Sequence, residues 1–241
     1  MVIREIQNRK ELVLTLPTLL CDETLGQDIP EPFPRQSFFM ILCGSPGMGK
    51  TSFLHAILTQ KKPPIYRKRF DWIFLGMPPT SIQSLGNTPF RKHPKERLIT
   101  ELDEEALLNV RKHCEEASKE GEHTLLILDD FTASLKDKLV EKELKRLAWN
   151  RRHLRLSIII LSQGYNAIPL PLRKVASHCV LWKPKNTREW ENVFDELCWL
   201  DADVRQELFK VVYQDKHDFL FLNVGLGLFH RNFNSLQLTD E

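Results

Sequence analysis

Long apolar segments and paired cysteines are both missing from this sequence. A helix that crosses a bilayer needs roughly 18 consecutive apolar residues, and no run in the 241 residues approaches that length. We therefore predict no membrane-spanning segment. The five cysteines form no C-x-x-C pair and no metal-site spacing, which favours buried thiols in a reducing compartment. They are Cys21, Cys43, Cys114, Cys179 and Cys198.

A strong excess of charge of either sign is missing as well. The net charge is only +2, so composition alone does not indicate a nucleic-acid-binding protein, and any basic surface has to be local. Apolar residues make up 42% and charged residues 27%, which is ordinary for a soluble globular protein. The length suits one sizeable α/β domain.

The N-terminal region lacks the full pattern of a secretory signal. Arg9 and Lys10 precede a short apolar run at 12–17, as they would in such a signal. However, Glu5 and Glu11 interrupt the basic part, and no small-residue cleavage site follows. We expect a strand at 12–17 and a protein that is not secreted.

Proline spacing separates an N-terminal lead-in, residues 1–36, from a domain at 37–241. Pro30, Pro32 and Pro34 lie close together near the end of the lead-in. Proline fixes its own φ angle and restricts the residue before it, so this spacing disfavours helix and predicts extended chain.

Within the domain, continuous apolar runs alternate with amphipathic patterns. Such runs are typical of strands buried on both faces, and the alternation predicts an α/β fold with a mainly parallel sheet and helices on both faces. Strands are predicted at 38–43, 71–75, 125–128, 157–161 and 179–182, with a C-terminal β-hairpin at 219–229. Helices are predicted from about 50 to 60, 100 to 120, 140 to 152, 186 to 197 and 201 to 213. The second helix begins with a typical capping box, Thr100-x-x-Asp103, and residues 78–99 before it are predicted to form a long loop.

A glycine-rich segment follows the first apolar run and matches G-x-x-x-x-G-K-[ST], the phosphate-binding loop called Walker A. Its glycines let the backbone wrap closely around phosphate oxygens, and successive N–H groups point at the anion. We predict that Lys50 reaches the β- and γ-phosphates of ATP, and that the Thr51 hydroxyl binds Mg²⁺. The predicted nucleotide-binding residues are Gly44, Ser45, Pro46, Gly47, Met48, Gly49, Lys50 and Thr51.

Two carboxylates end the apolar strand at 125–128, in the pattern called Walker B. The carboxyl edge of a parallel sheet is where ligands bind, so Asp129 and Asp130 are predicted to face the phosphate loop. We assign Asp129 to the Mg²⁺ ion and Asp130 to the attacking water, as its orienting group or base.

Polar residues also follow the next strand and the helix before it. Gln163 ends the strand at 157–161 and is predicted to contact the γ-phosphate or the water. Arg152 ends the preceding helix, and we expect it at the same edge of the sheet, as an arginine finger that a neighbouring subunit inserts. Arg151 is the alternative.

Together these motifs resemble the DNA-packaging ATPases of poxviruses, other large DNA viruses and virophages, a branch of the FtsK–HerA superfamily. The resemblance covers about residues 37–235. The phosphate loop is shared with many ATPases. The more specific part is the string Arg152-His153, then Ser162-Gln163, then Pro169-x-x-x-Arg173, which follows the acids.

This resemblance implies a P-loop NTPase fold of the additional-strand type, in which the Gln163 strand lies between the phosphate-loop strand and the aspartate strand. It implies MgATP hydrolysis in a homo-oligomeric ring, pentameric or hexameric, that threads double-stranded DNA into a preformed capsid at its portal vertex. The protein would then act in the infected cell, in cytoplasm or nucleus, and could be carried in the virion. Arg173 matches another family arginine, so the trans finger stays open between Arg152, Arg151 and Arg173.

A DNA-moving protein needs basic residues that contact phosphates without reading sequence. One cluster surrounds Tyr66 and another lies in the predicted loop. Either would line the pore of a ring or would be solvated surface balanced by glutamates. The first consists of Lys61, Lys62, Arg67, Lys68 and Arg69, and the second of Arg91, Lys92, Lys95 and Arg97.

Three other functions fit parts of the pattern. A nucleotide kinase shares the phosphate loop but needs an arginine-rich lid and an acceptor pocket. A conjugation or plasmid-segregation motor shares the hydrolytic residues. A scaffold that binds nucleotide without hydrolysing it would need the loop alone.

Overall fold

A single nine-stranded sheet organises the structure, a computed structural model that describes residues 24–84 and 88–238. The predicted strand at 12–17 lies outside these residues. The strands in chain order are β1 (Phe39–Cys43), β2 (Trp72–Gly76), β3 (Leu98–Ile99), β4 (Thr124–Asp129), β5 (Leu156–Ser162), β6 (His178–Trp182), β7 (Phe219–Asn223), β8 (Leu228–Arg231) and β9 (Asn234–Leu236).

The order of the strands confirms the additional-strand type of P-loop NTPase fold. Across the sheet they run β3-β2-β4-β5-β1-β6-β7-β8-β9, and the first six are parallel. Strand β5 pairs with β1 on one side and β4 on the other, so the strand before Gln163 lies between the phosphate-loop strand and the aspartate strand. Strands β1, β4 and β5 therefore all end at one edge of the sheet.

Alternate residues of the central strands supply two separate cores. In β1, Phe39 and Ile41 face one core while Met40 and Leu42 face the other. Every residue of β1, β5 and β6 is buried. Burial on both faces explains why these strands read as continuous apolar runs rather than as an alternating pattern.

Helices cover both faces of the sheet, as predicted. Helix α1 packs in one core, and α3, α4, α6 and α7 pack in the other. None of the helices in the described ranges is long and apolar enough to cross a bilayer. The helices are α1 (Lys50–Thr59), α2 (Pro79–Ser84), α3 (Glu104–Ala117), α4 (Lys138–Asn150), α5 (Leu170–Arg173), α6 (Thr187–Leu197) and α7 (Ala202–Val212).

The segment between β2 and α3 is more ordered than predicted. Instead of one loop over 78–99, it contains α2, two 3₁₀ turns and the short strand β3. The predicted capping box is also wrong, because Asp103 itself is the N-cap of α3 and accepts the Ala106 N–H at 2.8 Å. Elements of two to six residues hold too few positions to show a periodic pattern, so sequence reasoning missed them.

The C-terminal hairpin is confirmed and is extended by a third strand. Strands β7 and β8 pair antiparallel, and β9 pairs with β8 at the edge of the sheet. Strand β7 joins this antiparallel unit to the parallel sheet through β6.

The described part of the lead-in packs on the domain. Its prolines exclude helix as predicted, but the expected extended course is wrong, because the Leu25 N–H donates to the Arg35 carbonyl at 2.6 Å and the segment folds back. Ile29 and Phe33 are buried in the core beside α1. The boundary at residue 36 stays a prediction.

Candidate active site

The ends of β1, β4 and β5 enclose a cleft of about 200 Å³ at the carboxyl edge of the sheet. Because these strands are parallel neighbours, the residues that follow them have to lie close together. The cleft brings together residues from all three predicted motifs. Its lining includes Pro46, Gly47, Lys50, Thr51, Asp129, Asp130 and Gln163, together with Met77 and Ser81 from the segment after β2.

The phosphate loop turns directly into α1. Gly49 is the N-cap of this helix and has a left-handed backbone with φ 99°, which favours glycine. Lys50, the first helical residue, donates from Nζ to the Gly44 carbonyl at 2.6 Å and the Ser45 carbonyl at 3.1 Å. Burial lowers the pKa of Lys50 from its ordinary value, while the Asp129 carboxylate opposes that change. The ammonium group therefore lies against the backbone carbonyls at the start of the loop.

Gly44 lies too close to the neighbouring strand to carry a side chain. A Cβ added there would lie 2.7 Å from Cβ of Trp182 in β6, an atom that cannot rotate away. The backbone of the loop would have to shift instead.

We expect Gly44→Ala to weaken nucleotide binding without unfolding the protein. Overpacking typically costs about 1–3 kcal/mol. If the shifted loop has to return to its original position to hold the phosphates, this cost lowers the affinity by roughly 5- to 150-fold. Titration with a fluorescent ATP analogue measures the effect. Gly225→Ala is the matched control, because its added Cβ meets nothing closer than 3.8 Å. Equal affinities for the two variants would show that the loop tolerates the shift.

Thr51 and Asp129 form the second part of the cleft. The Thr51 hydroxyl donates to Oδ2 of Asp129 at 3.3 Å, so two oxygen atoms of the kind that Mg²⁺ prefers lie side by side. Burial raises the pKa of Asp129, and the adjacent Asp130 carboxylate adds to the rise. The ionised Asp129 carboxylate therefore costs folding free energy at neutral pH.

We expect Asp129→Asn to raise the melting temperature at pH 7 in the absence of Mg²⁺. The folded pKa of Asp129 lies above the ordinary value of 3.8, so the cost of ionisation is present at neutral pH and disappears below that value. Thermal melts from pH 7 to pH 3 should show the advantage of the variant shrinking as the pH falls. The exposed Glu120 provides the control, and Glu120→Gln should show no such trend. A destabilised Asp129→Asn at pH 7 would contradict this account.

Asp130 occupies a backbone conformation that is uncommon for a residue with a side chain. Its φ is 64°, in the left-handed region. Its Oδ1 accepts from Nε2 of Gln163 at 3.4 Å, and its Oδ2 accepts from the Ser81 hydroxyl at 3.0 Å. Both oxygens therefore have a donor from another element, one from the end of β5 and one from α2.

Ser81 is a residue that sequence reasoning missed. It lies in α2, five residues after the end of β2, in the segment predicted as a loop. The available signal was positional: β2 is parallel to β4, so residues that follow it have to emerge at the carboxyl edge.

The three candidate finger arginines lie in different surroundings. The prediction that Arg152 lies at the same edge as Gln163 is wrong. A helix that connects parallel strands runs opposite to them, so α4 ends at the amino edge of the sheet. There Arg151 and Arg152 line a cavity with His178, the first residue of β6. Arg173 contacts Glu196 at 3.1 Å and Asn166 at 2.7 Å and is buried, whereas Arg152 is exposed.

Comparison with known proteins places the chain in a family. A model of the family described as Poxvirus A32 protein matches residues 31–213. The chain belongs to the poxvirus A32 protein family. This membership confirms the resemblance drawn from the motifs that follow Asp130. No protein with a curated function matches the sequence.

Solved structures that are similar to this A32 family member share its fold. The DNA-packaging ATPase B204 from Sulfolobus turreted icosahedral virus aligns with a TM-score of 0.59 at 12% identity, over 84% of this chain and 98% of B204. The genome packaging NTPase B204 from Sulfolobus turreted icosahedral virus 2, in complex with ATP-gammaS, aligns with a TM-score of 0.57 at 15% identity, over 83% and 98% of the two chains. EssC (ATPases 2 and 3) from Geobacillus thermodenitrificans aligns with a TM-score of 0.56 at 13% identity, over 85% of this chain and 41% of EssC.

Proposed function

We propose that this chain is an ATPase that drives double-stranded DNA into a viral capsid. The observation that carries the proposal is the single cleft in which Lys50, Thr51, the acid pair and Gln163 converge, in a chain of the poxvirus A32 family. Its similarity in fold to B204, a DNA-packaging ATPase that has also been solved in complex with ATP-gammaS, supports the proposal.

The residues of the cleft fit a magnesium–nucleotide complex. The loop from Gly44 to Thr51 presents backbone N–H groups and the Lys50 ammonium to the phosphates. Thr51 and Asp129 would hold Mg²⁺, since their oxygens lie 3.3 Å apart on the same cleft. When bound, Mg²⁺ neutralises charge on the β- and γ-phosphate oxygens. Binding a cation would also offset the burial cost of the ionised Asp129 carboxylate.

Asp130 and Gln163 are placed to act on the water. The Asp130 carboxylate accepts a proton from the water as the water oxygen bonds to the γ-phosphorus. The bond from the γ-phosphorus to the bridging oxygen breaks, and its electron pair stays on ADP. The Gln163 amide, 3.4 Å from Oδ1 of Asp130, hydrogen-bonds the water or the γ-phosphate and positions the attack.

The proposal includes a homo-oligomeric ring, pentameric or hexameric, with a finger arginine in trans. Arg152 is favoured because it is exposed, whereas Arg151 is half-buried and Arg173 is buried. Arg152 lies at the amino edge of the sheet, far from the cleft of its own subunit. It could therefore contact a nucleotide only in the cleft of a neighbouring subunit.

Mixing two inactive variants tests the trans arginine. Arg152→Ala subunits keep an intact cleft, and Lys50→Ala subunits keep an intact arginine, so the mixture should recover part of the hydrolysis that each variant lacks alone. A mixture of Lys50→Ala with Asp130→Asn is the control, because every cleft in it is defective. No recovery in the first mixture would exclude Arg152 as the finger.

Two groups of exposed cations are candidates for contact with the DNA backbone. Lys61, Lys62, Arg67 and Lys68 are exposed after α1, and Arg91, Lys92 and Lys95 are exposed between α2 and β3. Tyr66 does not extend this surface, because it is buried and donates to the Pro34 carbonyl at 2.9 Å. Contacts to phosphates alone suit a motor that slides along any sequence.

The rate of ATP hydrolysis with and without duplex DNA tests the function. Stimulation by two unrelated duplexes, which weakens as salt rises, is the expected result. Phosphate transfer to a nucleotide acceptor would instead indicate a kinase, and binding without turnover would indicate a scaffold. DNA would also stimulate a conjugation-type or segregation-type motor. A packaging assay with purified capsids, in which DNA enters through the portal vertex, distinguishes a packaging motor from these two. We place the protein in the infected cell, in cytoplasm or nucleus, or in the virion.

A further inference from the structure

The carboxylate of Asp130 is held from two directions. Gln163 reaches Oδ1 from the end of β5, and Ser81 reaches Oδ2 from α2. The contact to Ser81 is the shorter, at 3.0 Å against 3.4 Å. Ser81 also lines the cleft together with Lys50 and Thr51, so its hydroxyl lies at the site rather than on a remote surface.

The position of Ser81 is set by the core of the protein. Strand β2 pairs with β4 along its full length, which fixes where the chain leaves the sheet. Met77, the next residue, is buried, and its N–H donates to the Ile99 carbonyl of β3 at 2.9 Å. Pro79 then starts α2, two residues before Ser81. The hydroxyl is therefore presented to Asp130 by a short segment that leaves the end of β2, where Met77 is hydrogen-bonded to β3.

We propose that Ser81 is a positioning residue for hydrolysis: its hydroxyl fixes Oδ2 of Asp130 so that Oδ1 faces the attacking water. The inference rests on the proposed function, because it gives Ser81 a role only if Asp130 acts on that water. A carboxylate that turns freely about its side-chain bond would present Oδ1 for only a fraction of the time, and a misplaced base loses much of its effect.

Steady-state kinetics of Ser81→Ala tests the assignment. We expect kcat to fall about tenfold, less than the roughly 10²-fold that a 1 Å misplacement can cost because Gln163 still holds Oδ1, with the KM for ATP within about twofold of wild type. Ser81→Thr keeps the hydroxyl and should restore most of the rate.

Thr80→Ala is the matched control, because Thr80 is the adjacent hydroxyl in α2, is exposed and does not line the cleft. It should leave both kcat and the KM for ATP unchanged. The double variant Ser81→Ala with Asp130→Asn should be no slower than Asp130→Asn alone, since both changes act on one group.

Two outcomes would overturn the inference while leaving the ATPase intact. One is a Ser81→Ala variant with normal kcat beside an inactive Asp130→Asn variant. The other is a decrease in kcat that is equal in Thr80→Ala, or that adds fully to the decrease caused by Asp130→Asn. Either result would indicate that Ser81 acts on the stability of α2. Full activity of Asp130→Asn would remove the base itself, and with it this part of the proposed function.

Discussion

Replacing Lys50 with alanine will reduce ATP hydrolysis by about 10²–10³-fold, the scale on which one preorganised electrostatic group acts in a closed site. Lys50 is the cation of the loop, where its ammonium contacts two loop carbonyls. Its loss removes a positive charge that stabilises the negative charge on the phosphates in both the bound state and the transition state. Hydrolysis assays combined with nucleotide titration measure both effects.

Lys112→Ala provides the control for Lys50→Ala. Lys112 is an exposed lysine of α3, and it is not among the residues that line the cleft. This variant should hydrolyse ATP at the wild-type rate. Near-normal hydrolysis by Lys50→Ala would instead remove the whole assignment of the cleft, because no other predicted motif explains the loop.

Asp130→Asn should keep nucleotide affinity and lose hydrolysis by about 10²–10⁴-fold, the contribution typical of a general base. The amide has nearly the same shape as the carboxylate but cannot accept the proton of the attacking water. Binding of MgATP should be unaffected, since Thr51 and Asp129 remain. Single-turnover hydrolysis measures the chemical step, and equilibrium binding measures the affinity.

The variant of the neighbouring residue, Asp129→Asn, should mainly affect the binding of the metal rather than the chemical step. It removes a charge assigned to the metal, so its main defect should be a higher concentration of Mg²⁺ needed for half-maximal rate. If Asp130→Asn turned over normally and Asp129→Asn lost the chemical step, the two roles would have to be exchanged.

The central strands could be predicted from the sequence to within one residue at each end. Strands β1, β4, β5 and β6 are buried along almost their whole length, so the central residues of each strand form a continuous run of apolar side chains. The same reasoning predicted Lys50, Thr51 and Asp129 at one site, because the phosphate loop that leads to Lys50 and Thr51 follows β1, and Asp129 ends β4.

Residues that depend on short or distant elements could not be predicted. The short strands β3 and β9 exist only through pairing with β2 and β8, which no local pattern reveals. Ser81 reaches the cleft from α2, and this helix of six residues is too short to show a period. The prediction of the edge for Arg152 was wrong because it did not take the direction of α4 into account. This helix connects two parallel strands, so it runs opposite to them and ends at the amino edge.

The placement of Arg152 and the cleft at opposite ends of β5 restricts how copies of this chain can associate productively. The strand has seven residues, which span about 23 Å at the usual rise per residue. A contact that brings Arg152 of one subunit to the cleft of another joins two different surfaces of the chain. A twofold pair would make this contact twice and end as a dimer, whereas a heterologous, head-to-tail contact repeats until it closes as a ring or continues as a helical filament.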